Sequence, residues 1–177
     1  MIVRDTISPA LAALAGKARS TRPVVLAMAT EMASIAGRSF RSERDRAAPW
    51  APLRPSTLKA KGGAGGILRG PNANLARSFH PTATDTTGTV STNRPYAGYH
   101  QFGTRPYVIK PKGKKALAGG GLPHPLKLVK HPGLPARPML PFIGSTPSSA
   151  KLSPYGAERI RKAGQIALDK LLGGGTG

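Results

Sequence analysis

Three observations predict an α+β fold. The stretch "PVVLAMATEMASIAGRSF" repeats apolar residues every three or four positions, as one face of a helix does. The stretch "FHPTATDTTGTV" is rich in threonine and broken by a turn signal, as a β-hairpin is. Ser153-Pro154 opens a second apolar helical stripe near the carboxy terminus. One domain over residues 1–177 accommodates these pieces. It reads as helical from 8 to 46, a connector with a flexible glycine-rich joint from 49 to 77, strands and a long basic extended arm from 78 to 142, and a helix from 153 to 172.

The elements follow in order. Ser8-Pro9 starts a short helix with Leu11, Leu14 and Ala18 on one side, and Thr21 with Pro23 repeats the device. The long helix then carries Val25, Met28, Ala29, Met32, Ile35, Ala36 and Phe40 on its core face before "RSERDR" and the prolines of "AAPWAPLRP" end it. Trp50 and Leu53 are anchors between prolines, "GGAGG" is a joint, and Leu68, Leu75 and Phe79 share one side of a broken helix. A hairpin runs from about 78 to 93. Beyond it "YVIKP", "KKALA" and "LKLVK" alternate as strands do, separated by "GGGLPHP". The last helix places Ile160, Ala163, Ala167, Leu168 and Leu171 inward.

Charge is the dominant bulk property: 27 Lys and Arg face 7 Asp and Glu, for a net +20. The surplus is concentrated in the middle, where ten basic residues between 85 and 152 face Asp85 alone. Such a chain attracts polyanions, either nucleic acid or acidic protein faces. There is no cysteine, hence no disulfide and no cysteine-bearing zinc site. No apolar run is long enough to cross a bilayer, and the amino terminus lacks the pattern of a secretory signal, so a soluble protein made in the cytoplasm is expected.

Catalysis lacks the residues it needs. The carboxylates Asp5, Glu31, Glu43, Asp45, Asp85, Glu158 and Asp169 are scattered along the chain, where they partly neutralise basic neighbours. His80, His100, His124 and His131 make no metal-ligand spacing, and "KGGAGGILRG" lacks the Gly-Lys-Ser/Thr ending of a phosphate loop. Neither a metal, a cofactor nor a catalytic residue is expected. The stretch "YAGYHQFG" gathers three aromatic rings and a histidine. It reads as core and inter-subunit packing by Tyr96, Tyr99 and Phe102, with His100 a satisfied member of the cluster. The run Arg105, Lys110, Lys112, Lys114, Lys115, Lys127 and Lys130 reads as an arm facing DNA or an acidic partner.

The ordered set "PWAPLRPSTLKAK", "ILRGPNANLARSF", "YAGYHQFGT", "IKPKGKKAL" and "HPGLPARPMLPF" resembles the virion morphogenesis and tail-completion (head-tail joining) proteins of long-tailed bacteriophages over about residues 24–172. The resemblance implies helices at the amino terminus and a carboxy-terminal helix packed on a small antiparallel sheet. It also implies a structural virion protein, located at the neck or tail and assembled in the host cytoplasm. The implied form is a homo-oligomeric ring, a hexamer, with non-specific double-stranded DNA in its lumen. Its neighbours would be portal, adaptor or stopper proteins on one side and tail-tube or tail-terminator proteins on the other. Carried over by position, Trp50 and Leu53 match a "WxxL" anchor, and Leu68 and Leu75 a leucine pair. Tyr96, Ala97, Phe102 and Gly103 match a "YA…FG" segment, and Ala136, Arg137 and Pro138 a "PARP" turn.

Two rivals remain open on the residues alone. A stand-alone basic protein would bind nucleic acid tightly without assembling, with steep salt dependence. A small hydrolase would use His100 or His131, against which stands the missing carboxylate or nucleophile partner.

Overall fold

The computed structural model describes Gly16 and residues 20–62, 66–69, 74–113, 115–118 and 125–173. The helix expected from Ser8, the centre of "GGAGG", Lys114, and most of "GGGLPHP" with His124 lie outside the described residues.

Helix α1, Arg22–Ser39, turns its predicted stripe inward: Ala29, Ile35 and Ala36 are buried and Phe40 follows them into the core. Thr21 precedes the helix but does not cap it with its own side chain. Its hydroxyl instead donates to the Asp85 carbonyl. The Asp85 carboxylate accepts from the Arg22 amide at 3.2 Å and from the Ser20 hydroxyl at 3.1 Å. A residue 63 positions away thus supplies both an acceptor and a negative charge to the helix's positive end.

Asp85 sits in the turn of the hairpin formed by β1, Phe79–Ala83, and β2, Gly88–Thr92, paired antiparallel from Phe79↔Thr92 to Ala83↔Gly88. Half-buried and exposed positions alternate along β1, with Phe79, Pro81 and Ala83 on the inner side. That side lies on α1, close enough that a Cβ at Gly88 would stand 3.2 Å from the Val25 side chain.

A 3-10 turn, Glu43–Asp45, and the short helix α2, Pro55–Ala60, flank Trp50. Helix α3, Ala97–Phe102, follows the hairpin. Strands β3, Tyr107–Ile109, and β4, Val129–His131, pair antiparallel, and an isolated bridge joins Leu117 to Leu126. Strands β5, Phe142–Ile143, and β6, Lys151–Leu152, form a third pair around the 3-10 turn Pro147–Ser149. Helix α4, Pro154–Gly173, closes the described chain.

The class is α+β, and two details differ from expectation. Among the described residues the strands do not join into one sheet; they make three separate two-stranded ribbons. The segment expected as an extended arm folds back on itself, because Ile109 and Val129 meet across the ribbon. Helix α4 has α1 as its largest partner. Gly164 permits that approach, since a Cβ there would lie 2.9 Å from Met28 Cγ. The seam between the two helices is charged. Glu31 accepts from Arg38 at 3.0 Å and Arg159 at 2.8 Å, while Asp45 accepts from Arg38 at 3.2 Å and from the Tyr155 hydroxyl at 3.0 Å.

The apolar core lies at the carboxy end of α1, where Phe40, Trp50, Leu75, Ala97 and Met139 are buried with Ile67, Leu68, Ala76 and Phe79 against them. Phe40 meets the Trp50 ring edge-on at 5.5 Å, and the Arg46 guanidinium covers Trp50 at 4.4 Å from the ring centroid.

Candidate assembly site

Four of the five sequence segments that carry the resemblance converge on this core. Trp50 donates its indole N–H to the Pro138 carbonyl at 2.9 Å. Arg137 returns the connection: its Nε and NH2 donate to the carbonyls of Ala51 at 3.0 Å and Pro52 at 3.1 Å. The Arg137 amide donates to the His100 carbonyl at 2.7 Å. The "WxxL", "PARP" and "YA…FG" segments are therefore tied through backbone carbonyls, and Leu75 of the leucine pair packs beneath them.

Gln101 locks the junction. The pattern of "PMLP" explains why: Met139 and Leu140 lie between Pro138 and Pro141, and prolines on both sides keep their amides out of a strand ladder. The buried Gln101 Oε1 accepts from both, at 2.8 and 3.0 Å, while its amide group reaches the Phe142 carbonyl at 3.4 Å. Leaving two such amides unpaired would cost about 1–3 kcal/mol each. Gly103 ends α3 at φ +75, a conformation that favours glycine, and a Cβ there would stand 2.7 Å from the Leu134 carbonyl oxygen. Gly133, at φ +86, faces the Thr104 carbonyl from the other side of the same crossing. There the Thr104 amide donates to the Leu134 carbonyl and the Leu134 amide to the Thr104 hydroxyl, both at 2.9 Å.

The predicted site residues separate into three groups. Trp50, Leu75, Arg137 and Pro138 are buried; Leu53, Leu68, Phe102, Gly103 and His100 are half-buried. Tyr96 and Tyr99 are not core: they are 41% and 60% exposed. The six-residue α3 turns Ala97 and Gln101, four apart, to the inside, which leaves both tyrosines outward. His100 is not satisfied either, because its Nδ1 is buried without a hydrogen-bond partner among the described residues. Burial, and then the neighbouring Arg137 charge, hold its imidazole below the ordinary value. Burial alone pulls the Arg137 guanidinium down.

Beside the junction opens a cleft of about 690 Å³ whose walls include Leu53, Leu68, His100, His131, Leu134 and Arg137. Leu68 holds a left-handed backbone at φ +57 on its wall, a conformation that costs a non-glycine residue roughly 1–2 kcal/mol. The ribbon of β3 and β4 adjoins through His131, whose ring stacks on Tyr107 at 4.7 Å. Arg105, Lys110, Lys112, Lys115, Lys127 and Lys130 are all exposed on and around this ribbon. None of them enters an ion pair among the described residues.

Among the described residues no cluster of three or more His, Asp or Glu is placed to hold a metal ion, and no helix is long and apolar enough to cross a membrane. The sequence profile of the phage virion morphogenesis family matches residues 2–161, including every segment of the junction. The chain belongs to the phage virion morphogenesis family. Its role is thus structural, in the assembly of a bacteriophage virion. No curated protein and no solved structure shows significant similarity to the chain.

Gln101 and Asp85 are the organising residues that the sequence did not single out. A signal exists for the first: in "YAGYHQFG" the helical period pairs Gln101 with Ala97 rather than with a tyrosine. None exists for the second, since its partner lies across the fold.

Proposed function

We propose that this chain is a tail-completion or head-tail connector protein, a subunit of a closed ring at the neck or tail end of the virion, through whose lumen double-stranded DNA passes. It acts by docking, not by chemistry. One observation carries this reading. The ribbon of β3 and β4, with Leu128 just before β4, exposes Tyr107, Val108 and Leu128, at 45%, 50% and 45%, among cations that no carboxylate neutralises among the described residues. Apolar side chains left in the open next to unpaired charge suit a surface that a neighbouring subunit covers. The lysines around them suit a DNA channel, where phosphate contacts give attraction without reading sequence. Tyr96 and Tyr99, at the start of α3, add two more aromatic rings left in the open.

Sedimentation velocity with negative-stain imaging of the purified chain tests it. A closed ring of fixed subunit number is expected, and Val108→Asp, on an exposed side chain, should leave a folded but unassembled subunit. A ring-free subunit that binds duplex DNA tightly, with affinity falling steeply as salt rises, would instead identify a stand-alone nucleic-acid-binding protein.

A further inference from the structure

The cleft beside the junction is built around a cation without a counter-charge. Arg137 is only 7% exposed, and its hydrogen bonds go to two neutral carbonyls. Arg54, Lys61 and His131 share the cleft with it, His100, whose Nδ1 is unpartnered, also lines it, and among the described residues the lining contains no Asp or Glu. A guanidinium withdrawn from water gains most from a carboxylate, which accepts two parallel N–H bonds and cancels the charge. The remaining walls are apolar, from Leu53, Leu68, Leu134 and prolines 52 and 135.

A second copy of this chain is poorly equipped to supply that carboxylate. Among the described residues Glu31, Glu43, Asp45, Asp85 and Asp169 are each engaged, with Arg38 and Arg159, Arg46, Arg38 and Tyr155, the α1 amino end, and Gln165 respectively, and Glu158, exposed on α4, is followed by Arg159, Arg161 and Lys162, cations that Arg54 and Lys61 of the cleft would repel. A DNA backbone would use the cations but has nothing to set against the leucine and proline walls. We infer that the cleft docks an acidic, aliphatic segment of a different virion protein, with a carboxylate seated at Arg137 and apolar side chains on Leu53, Leu68 and Leu134. The inference rests on the assembly reading above and names the chemistry of one partner.

The test passes a peptide library, with Asp or Glu at alternate positions and Leu, Val or Pro between them, over the immobilised full-length chain. Retained peptides are then measured by fluorescence anisotropy at physiological salt. Retained peptides should lose about tenfold or more in affinity when their carboxylates become amides. Arg54→Glu, an exposed change at the cleft rim, should weaken them by a similar factor. Arg161→Glu, the same charge change on the exposed side of α4, should not. Leu134→Asp gives a second reading of the cleft, with circular dichroism confirming that each variant is folded.

Three outcomes overturn the inference: no carboxylate-dependent peptide is retained, Arg54→Glu and Arg161→Glu weaken binding equally, or duplex DNA of matched charge displaces the peptide as well as unlabelled peptide does. Ring formation is read separately by sedimentation. A ring with an empty cleft therefore sinks this inference alone, and a peptide-binding chain that never assembles sinks the ring.

Discussion

Two regions of the molecule hold their basic residues by different means. Along the seam of α1 and α4, cations meet carboxylates: Glu31 serves Arg38 and Arg159, and Asp45 serves Arg38. From residue 46 to 157 the chain has Asp85 as its sole acid, and that acid is spent on a helix end. In this stretch Arg137 donates to the carbonyls of Ala51 and Pro52, and Lys61 donates to those of Gly66 and Arg69. A carboxylate orients a cation and cancels its field. A carbonyl orients it and leaves the field standing. The junction can therefore be rigid while the molecule keeps its positive surface.

The sharpest way to break the comparison is to empty the junction's apolar floor. Trp50→Ala removes a buried ring, its bond to Pro138 and the surface under Arg46, and should cost about 3–5 kcal/mol in urea unfolding. A smaller loss would mean that the core does not close on Trp50. Next comes Gln101→Leu, which keeps the bulk and deletes the acceptor for two amides. It should cost about 2–4 kcal/mol, and the loss should be the same in low and high salt, because no ion pair is involved.

Glu31→Gln addresses the other region. It should cost about 1 kcal/mol at low ionic strength and less at high. If Glu31→Gln proved insensitive to salt, or Gln101→Leu sensitive to it, the division between the two regions would fail.

The smallest effect concerns acidity. Burial, with Arg137 beside it, depresses the His100 imidazole below its usual 6.5, so the unfolded chain takes up that proton at higher pH than the folded one. Folding is then favoured at neutral pH and loses stability as pH falls through the unfolded value, until the folded histidine also protonates. The melting temperature of His100→Asn should fall less than that of the parent between about pH 7 and 5.5. Equal slopes would show that His100 does not contribute.

Much of the scaffold was legible in the residues. Apolar spacing marked α1 and α4, threonines around "DTTG" marked β1 and β2, Trp50 and Leu53 stood out as anchors, and Leu75 as part of an apolar side. These features are local, set by periods of 3.6 and 2 and by turn chemistry. The junction was legible only as a set of segments, not as contacts, because its bonds link positions up to 88 residues apart through main-chain carbonyls that every residue possesses. Tyr96 and Tyr99 misled through their apolar content: ring size suggested burial, while the helical period had already assigned the inward face to Ala97 and Gln101. The basic run was legible as charge but not as shape, since "GGGLPHP" hides the return of Val129 to Ile109.

That return is brief. The three residue pairs and one outlying bridge among the described residues are fewer than a two-stranded ribbon needs to persist in water unaided. The backbone amides of β3 and β4 should therefore exchange with deuterium almost freely in the solitary molecule and slow sharply once any surface covers them. Built this way, the ribbon can report on its surroundings: a neighbour that covered it, as the proposed ring would, should tighten it beyond what its own pairs hold.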